Sequence, residues 1–465
     1  MEAVSGALEA VCELIERRMR ELVVPGVALG VVHQGREESA YFGVTSVADP
    51  LPVDEGTFFQ IGSATKTMVA TVVMRLAEQG SVDLDAPVRT YLPDLRLADE
   101  AAARAVTLRH VLTHSGGWLG DSFEDTGRGD DALSKIVAKL AMLPQLTPVG
   151  TEWHYGNSGF YIAGRVIEVV TGIAFERAMR ELLFDPLGMA SSVFFAEDAI
   201  AYRVAAGHMV HGDIPEVARH WALARSAHAA GGVTSTVPDQ LAYARFHLGD
   251  GRAPGGARLL SAAGLRAMRE PAGPRGTVGL SWWLRTVDGV RIASHGGTTA
   301  GFEAELVLVA EREFGLTLLT NSTRGHALGR EVVRLALHEF CGIEEIDPEP
   351  RAATPGELDG IAGRYEIARG QLELRIAGDE LLLIAGPRPG VEPPPNGWRP
   401  YPPPARCSFT GDDELVVMEG TSSGSRVQIL RAPDGSIEWL RFGLRLYAPE
   451  ARAHLYPAHG GGLVT

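Results

Sequence analysis

The feature that most constrains this chain is residues 58–80, FFQIGSATKTMVATVVMRLAEQG. An extended apolar run ends at Ile61-Gly62, and Ser63 stands where a helix N-cap is expected. Val69, Val72, Val73 and Leu76 then recur at helical spacing up to Gly80, a suitable C′ residue. Beyond its first turn the segment is apolar nearly all round until Arg75, the pattern of a helix buried in a core rather than lying on a surface. Lys66 is therefore expected on a buried helix.

Residues three apart on a helix share a face, so the Lys66 amine can reach the Ser63 hydroxyl, and the helix start supplies free N–H groups and a positive field. Burial and that field both favour a neutral amine, moving it from its ordinary value of about 10.4 toward the range of a useful base. Such a helix start can activate a serine and stabilise an oxyanion. S-x-x-K is equally compatible with a capping serine followed by a surface lysine. Two features favour the chemistry: no other serine has lysine three residues later, and lysine occurs only at 66, 135 and 139 in a chain that otherwise uses arginine. Arginine cannot lose its proton in a protein, so a site that needs a neutral amine is one where that preference must yield.

A second cluster is TEWHYGNSGFYIAGRVIEVVTG, residues 151–172. Ile162, Val166, Ile167 and Val170 predict a helix ending at Gly172, which leaves Tyr155 and Asn157 on the loop entering it. They could face a neighbouring site, or be a core tyrosine and a capping asparagine. A third cluster, His295-Gly296-Gly297-Thr298, ends a predicted strand where two glycines permit close approach of a ligand.

The remaining pattern is mixed. An amphipathic helix from Val4 to Leu22 precedes a hairpin turned at Gln34-Gly35, and a short helix from Thr107 ends in LTHSGG. After Gly279 the runs GLSWWLR, VRIASHGG, EAELVLVA and FGLTLLTN read as antiparallel strands that pair with that hairpin, with a helix at 329–340 behind them. The expected fold is α/β (α+β): an antiparallel sheet flanked by helices over residues 1–343, a linker at 344–357, and a small antiparallel β-barrel over 358–465. Six strands and no helix are read in that barrel. A proline-rich insert, 386–404, interrupts it without an assignable function.

With 465 residues, two domains are expected. A net charge of −15 without a basic stripe disfavours nucleic acid and anionic membranes as partners. The first residues lack the basic start and cleavage site of a secretory signal, no long apolar run exists, and the three cysteines are widely separated, so a cytoplasmic protein is expected. His110 and His114 are spaced i, i+4, but the glutamate of H-E-x-x-H and a third ligand are absent, so neither a catalytic metal nor another cofactor is expected. Residues 420–424, GTSSG, match G-x-S-x-G formally, yet a strand and not a helix follows, which reads as a hairpin turn.

Taken together, S-A-T-K at 63–66, Y-G-N at 155–157 and H-G-G at 295–297 resemble the penicillin-recognising serine hydrolases, within the branch of class C β-lactamases, D-alanyl-D-alanine carboxypeptidases and esterases. LTHSGG, AGGVTSTVPD and GLSWWL match as well, and the resemblance covers about residues 5–340. It implies an all-helical lobe beside the sheet domain, with Ser63 as nucleophile and Lys66 and Tyr155 sharing general-base and proton-shuttle work. By the same resemblance Asn157, His295, Gly297 and Thr298 bind substrate, and the N–H groups of Ser63 and Thr298 form the oxyanion hole. One departure is informative: His295 replaces the lysine of the K-T-G motif of β-lactamases, which weakens the fixed positive charge that binds a substrate carboxylate. The C-terminal barrel resembles the lipocalin-like appendage of some D-amino-acid peptidases and peptide-cyclising thioesterases.

Trp118, Trp153, Trp221 and Trp282 flank the motif loops and suit an apolar acyl group. The expected activity is hydrolysis of a small-molecule ester or amide through an acyl-serine. The alternatives are D-amino-acid peptide hydrolysis or peptidyl transfer and, in a different class, an inert binding or regulatory module.

Overall fold

The computed structural model describes residues 5–347, 349–389, 401–420 and 422–456. Most of the proline-rich insert, 390–400, and Thr421 of the GTSSG segment lie outside the described residues.

Gln34 and Gly35 both take positive φ, 50° and 77°, the two-residue turn whose twist suits a hairpin. It joins β1 (Gly26–His33) to β2 (Arg36–Gly43). Four later strands, β3 (Trp283–Val287), β4 (Val290–Thr299), β5 (Phe302–Val309) and β6 (Phe314–Thr320), complete a six-stranded antiparallel sheet in the order β2-β1-β6-β5-β4-β3. The N-terminal hairpin thus pairs with the last strand of the run, Val27 opposite Thr320.

Alternation along the strands gives each face its own helices. On one face Val27, Leu29, Val31, Val307, Leu316 and Leu318 pack with Val11 and Ile15 of α1 (Gly6–Leu22) and with Leu328, Val332 and Leu337 of the helix Gly325–Cys341. On the other face the helix Val237–Leu248 comes so close that a Cβ on Gly30 would lie 2.6 Å from Val237 Cγ1, and one on Gly315 would lie 3.3 Å from Ala244 Cβ. Glycine at both positions is what lets that helix sit flush on the strands.

The central segment forms α2 (Thr65–Glu78), buried from Thr65 to Val73, and Gly80 follows in the left-handed conformation at φ 73°. Its start differs from the expectation. Residues Gly62–Ala64 form a 3₁₀ turn, and Ser63 is not the N-cap. A hydroxyl that capped α2 would be committed to a backbone N–H; here it remains available to Lys66. The helix after the second cluster is α3 (Ser158–Thr171), which ends at Gly172 with φ 73°.

The chain divides into two compact units, one holding the residues up to Leu143 and Thr147–Glu345, the other Pro144–Leu146 and the chain from Ile346. The second unit is a closed antiparallel barrel of eight strands. Its members are β7 (Gly363–Glu366), β8 (Gly370–Ala377), β9 (Glu380–Pro387), β10 (Ala405–Phe409), β11 (Glu414–Val417), β12 (Arg426–Arg431), β13 (Ile437–Phe442) and β14 (Arg445–Pro449). Two of these, β10 and β14, escape the sequence reading, as does the helix Pro355–Ile361. Thr354 and Glu357 bond each other's backbone N–H groups as a capping box that starts this helix, so the irregular stretch stops before Thr354 and not at 357. Leu372, Leu374, Leu383, Leu415, Val427 and Leu440 fill the barrel core.

Candidate active site

Strand β4 outruns its neighbour: pairing with β3 ends at Ser294, while pairing with β5 continues to Thr299. Residues 296–299 therefore run on beyond the pairing with β3, and the turn Gly62–Ala64 lies against that edge. A Cβ on Gly62 would sit 2.7 Å from Thr298 N, and one on Gly297 would sit 1.8 Å from Ile61 O and 3.0 Å from Ser63 N. Gly62 takes φ 48°. Only glycine at both positions allows the backbones of Ser63 and Thr298 to approach in this way, bringing two amide groups beside one hydroxyl.

Lys66 has no exposed surface. Its Nζ lies 3.0 Å from Ser63 Oγ and 2.7 Å from Asn157 Oδ1, and it also donates to Ala230 O, on the single helical turn His228–Gly231. The Tyr155 and Phe160 rings lie 5.0 and 5.3 Å from Nζ by their centroids. Carbonyl oxygens only accept, so Asn157 and Ala230 each take an N–H, whereas a hydroxyl can accept from an ammonium or donate to an amine lone pair. The same heavy-atom positions serve both protonation states of Lys66.

Tyr155 and Asn157 lead into α3 from a loop pressed against residues 116–121. A Cβ on Gly120 would lie 2.2 Å from Gly156 Cα, and Ser158 N donates to Gly120 O. Asn157 does not cap α3 with its side chain; Nδ2 donates to Asp121 Oδ1 at 2.8 Å. Asp121 was not singled out from sequence, because its partner lies 36 residues away and no local spacing marks it.

His295 is buried, its ring 6.4 Å from that of Tyr155. Nδ1 meets Gly296 O at 2.6 Å and so carries the proton, which leaves Nε2 as an acceptor. Burial first, then the Lys66 charge, push the imidazole down to about 3 against that hydrogen bond. It is neutral at every ordinary pH and presents no fixed positive charge. Thr298 is exposed, and its hydroxyl donates to Glu303 at 2.7 Å across the strand pair.

The aromatic wall is only partly as expected. Trp282 is fully buried against His247, and Trp221 packs against Phe58, Val193 and Ala199. Trp118 is buried and donates to Ser158 Oγ. Trp283 is the ring that meets the site: it stacks on His114 at 5.6 Å and lies 5.1 Å from Trp153, 6.0 Å from Tyr155 and 6.1 Å from His295. Ser281, at φ 65°, reorients the chain just before the pair, so that Trp282 points inward and Trp283 opens β3 toward the site. Among the described residues no group of three or more His, Cys, Asp or Glu is arranged to hold a metal ion, and no single helix is long and apolar enough to cross a membrane.

The Beta-lactamase family model matches residues 11–338. Penicillin-binding protein 4 of Amycolatopsis lactamdurans is 37% identical over 355 residues, 74% of this chain and 93% of that protein. Esterase EstB of Burkholderia gladioli is 31% identical over 209 residues, 41% of this chain and 52% of that protein. The crystal structure of SurE with D-Leu superposes with a TM-score of 0.71 at 26% identity, covering 95% of this chain and 99% of that one. With the family model spanning most of the chain and the three motifs gathered around one buried lysine, this protein belongs to the beta-lactamase family of serine hydrolases.

Proposed function

We propose that the protein cleaves an ester or amide bond of a small molecule through an acyl intermediate on Ser63. The observation that carries this reading is the buried Lys66 amine, 3.0 Å from Ser63 Oγ and bonded also to the carbonyl oxygens of Asn157 and Ala230. Ser63 Oγ attacks the carbonyl carbon while Lys66 takes its proton, and the carbonyl oxygen gathers charge between the N–H groups of Ser63 and Thr298. The proton passes by way of Lys66 and Tyr155 to the leaving oxygen or nitrogen as that bond breaks. Water then attacks the acyl-serine, gives its proton back through the same groups, and releases the acid and free Ser63. The second N–H of Asn157 and the edge at Gly297 and Thr298 hold the substrate.

A neutral His295 offers no ion pair to a substrate carboxylate, and Trp283 with Trp153 suits an apolar acyl group. A second reading is favoured by the likeness to SurE with D-Leu over 95% of the chain: a D-aminoacyl or peptidyl donor, with an amine replacing water in the second step. The test is a panel of short-chain nitrophenyl esters, D-aminoacyl amides, a chromogenic cephalosporin and a peptidyl thioester, with products identified by mass. Ester or amide turnover with little cephalosporin turnover is expected. A cyclic product from the thioester would replace hydrolysis by transfer, and no acylation by any member would favour an inert binding module.

A further inference from the structure

We propose that Asp121 is a positioning residue for Lys66, acting through the side-chain amide of Asn157; the inference rests on the acyl-serine reading above. Asn157 is gripped at both ends, its Oδ1 by Lys66 Nζ at 2.7 Å and its Nδ2 by Asp121 Oδ1 at 2.8 Å. A carboxylate only accepts, and a nitrogen that already donates to Ala230 O offers Oδ1 another N–H. The amide therefore has one satisfied orientation. Turned by half a rotation, its NH₂ would face Nζ and its carbonyl would face the carboxylate, and two charge-assisted bonds would become two repulsions.

Asn157 is buried, so no bulk water repairs a turned amide. Asp121 is set in place by backbone and not by a long reach. It follows Gly120, whose carbonyl accepts from Ser158 N and whose missing Cβ lets the two loops touch. The consequence falls on the base. With Oδ1 held toward Nζ while the lysine gains and loses its proton, one N–H stays on Asn157 and another on Ala230. The lone pair of the neutral amine can then be directed at Ser63 Oγ, 3.0 Å away. Without Asp121 the amide is free to present its NH₂ to Nζ, which draws that lone pair away from the serine.

The test measures the rate of Ser63 phosphonylation by a fluorophosphonate, and kcat and KM on a nitrophenyl ester, in the full chain. Asp121→Ala is expected to lower the phosphonylation rate and kcat by about tenfold to a hundredfold, as a small misplacement of a reacting group does, with KM within about twofold. Asp121→Asn keeps an acceptor oxygen but can also donate, so it satisfies either orientation of the amide and is expected to recover only part of the loss, with a rate between those of Asp121→Ala and wild type. In an Asn157→Ala background the Asp121→Ala change is expected to cost less than about twofold, because the path through the amide is already gone. Unchanged rates in Asp121→Ala, or losses that simply add in the double variant, would overturn the inference. If Asp121→Ala does not fold, as judged by thermal unfolding, Asp121→Ser takes its place with the same expectations. A wild-type protein that takes up no probe on Ser63 defeats the acyl-serine reading itself, whereas labelling of wild type and Asp121→Ala at equal rates rejects only the role of Asp121.

Discussion

At the scale of single residues the site depends on which groups can change protonation state. His295 is held far below its unfolded value of about 6.5 by burial and by Lys66. At neutral pH it is uncharged in both the folded and unfolded chain and contributes nothing pH-dependent. As pH falls below about 6.5 the unfolded chain takes up a proton that the folded chain refuses, so stability is lost progressively down to about pH 3. His295→Gln is therefore expected to flatten the dependence of Tm on pH between about 6.5 and 4, and to leave the limbs of the kcat/KM profile above pH 5 where they were. A limb near pH 6 to 7 that disappears in the variant would contradict a neutral His295. The residues that the structure gathers around Lys66 were legible as a group because short spacing carries them: three residues link Ser63 to Lys66, and two link Tyr155 to Asn157. Trp283 was not, since a one-residue change of parity, set by the positive φ of Ser281, decides which of two adjacent tryptophans faces the site.

Single elements show where local sequence is enough and where it is not. The helix Val237–Leu248 holds Asp239 in its first turn, where the carboxylate accepts from Ser191 N and Ser192 Oγ, both at 2.8 Å. Burial outweighs those bonds and pushes the carboxyl up to about 6. The folded chain thus holds this proton more tightly than the unfolded one, and stability falls as pH rises from about 4 to about 6. The fall is roughly 2–3 kcal/mol at most, from about 1.4 kcal/mol per pH unit. Asp239→Asn is expected to match wild type near pH 4 and to exceed it in Tm at pH 7.5; parallel curves across that range would refute the assignment. In the second unit, Thr354-Pro355-Gly356-Glu357 carries the capping-box signal of the helix that was read as linker. Strand β10 was hidden for a different reason: its five residues follow a proline run that reads as loop, and only pairing with β9 and β11 reveals it.

For the whole molecule, alternation and turn residues carried the sheet, its pairing with the N-terminal hairpin and the existence of a barrel, but not the strand that closes it. Closure depends on β14 pairing back to β7 across about eighty residues, which no local pattern reports. Each unit has its own apolar core, and between Ile343 and Thr354 the described residues hold no helix or paired strand beyond a single bridge at Arg351. Limited proteolysis is expected to cut first within residues 344–353, giving two fragments by mass; a first cut inside either core would argue against two independently built units. The central claim, that the chain works through an acyl group on a serine activated by Lys66, is tested most directly by mapping the adduct. After exposure to a fluorophosphonate, intact mass and peptide mass spectrometry should show one adduct, on Ser63. It should be absent in Ser63→Ala and formed roughly 10²–10⁴ times more slowly in Lys66→Arg, because a guanidinium cannot take the serine proton. An adduct that persists in Ser63→Ala, or a Lys66→Arg variant that labels at the wild-type rate, would contradict it.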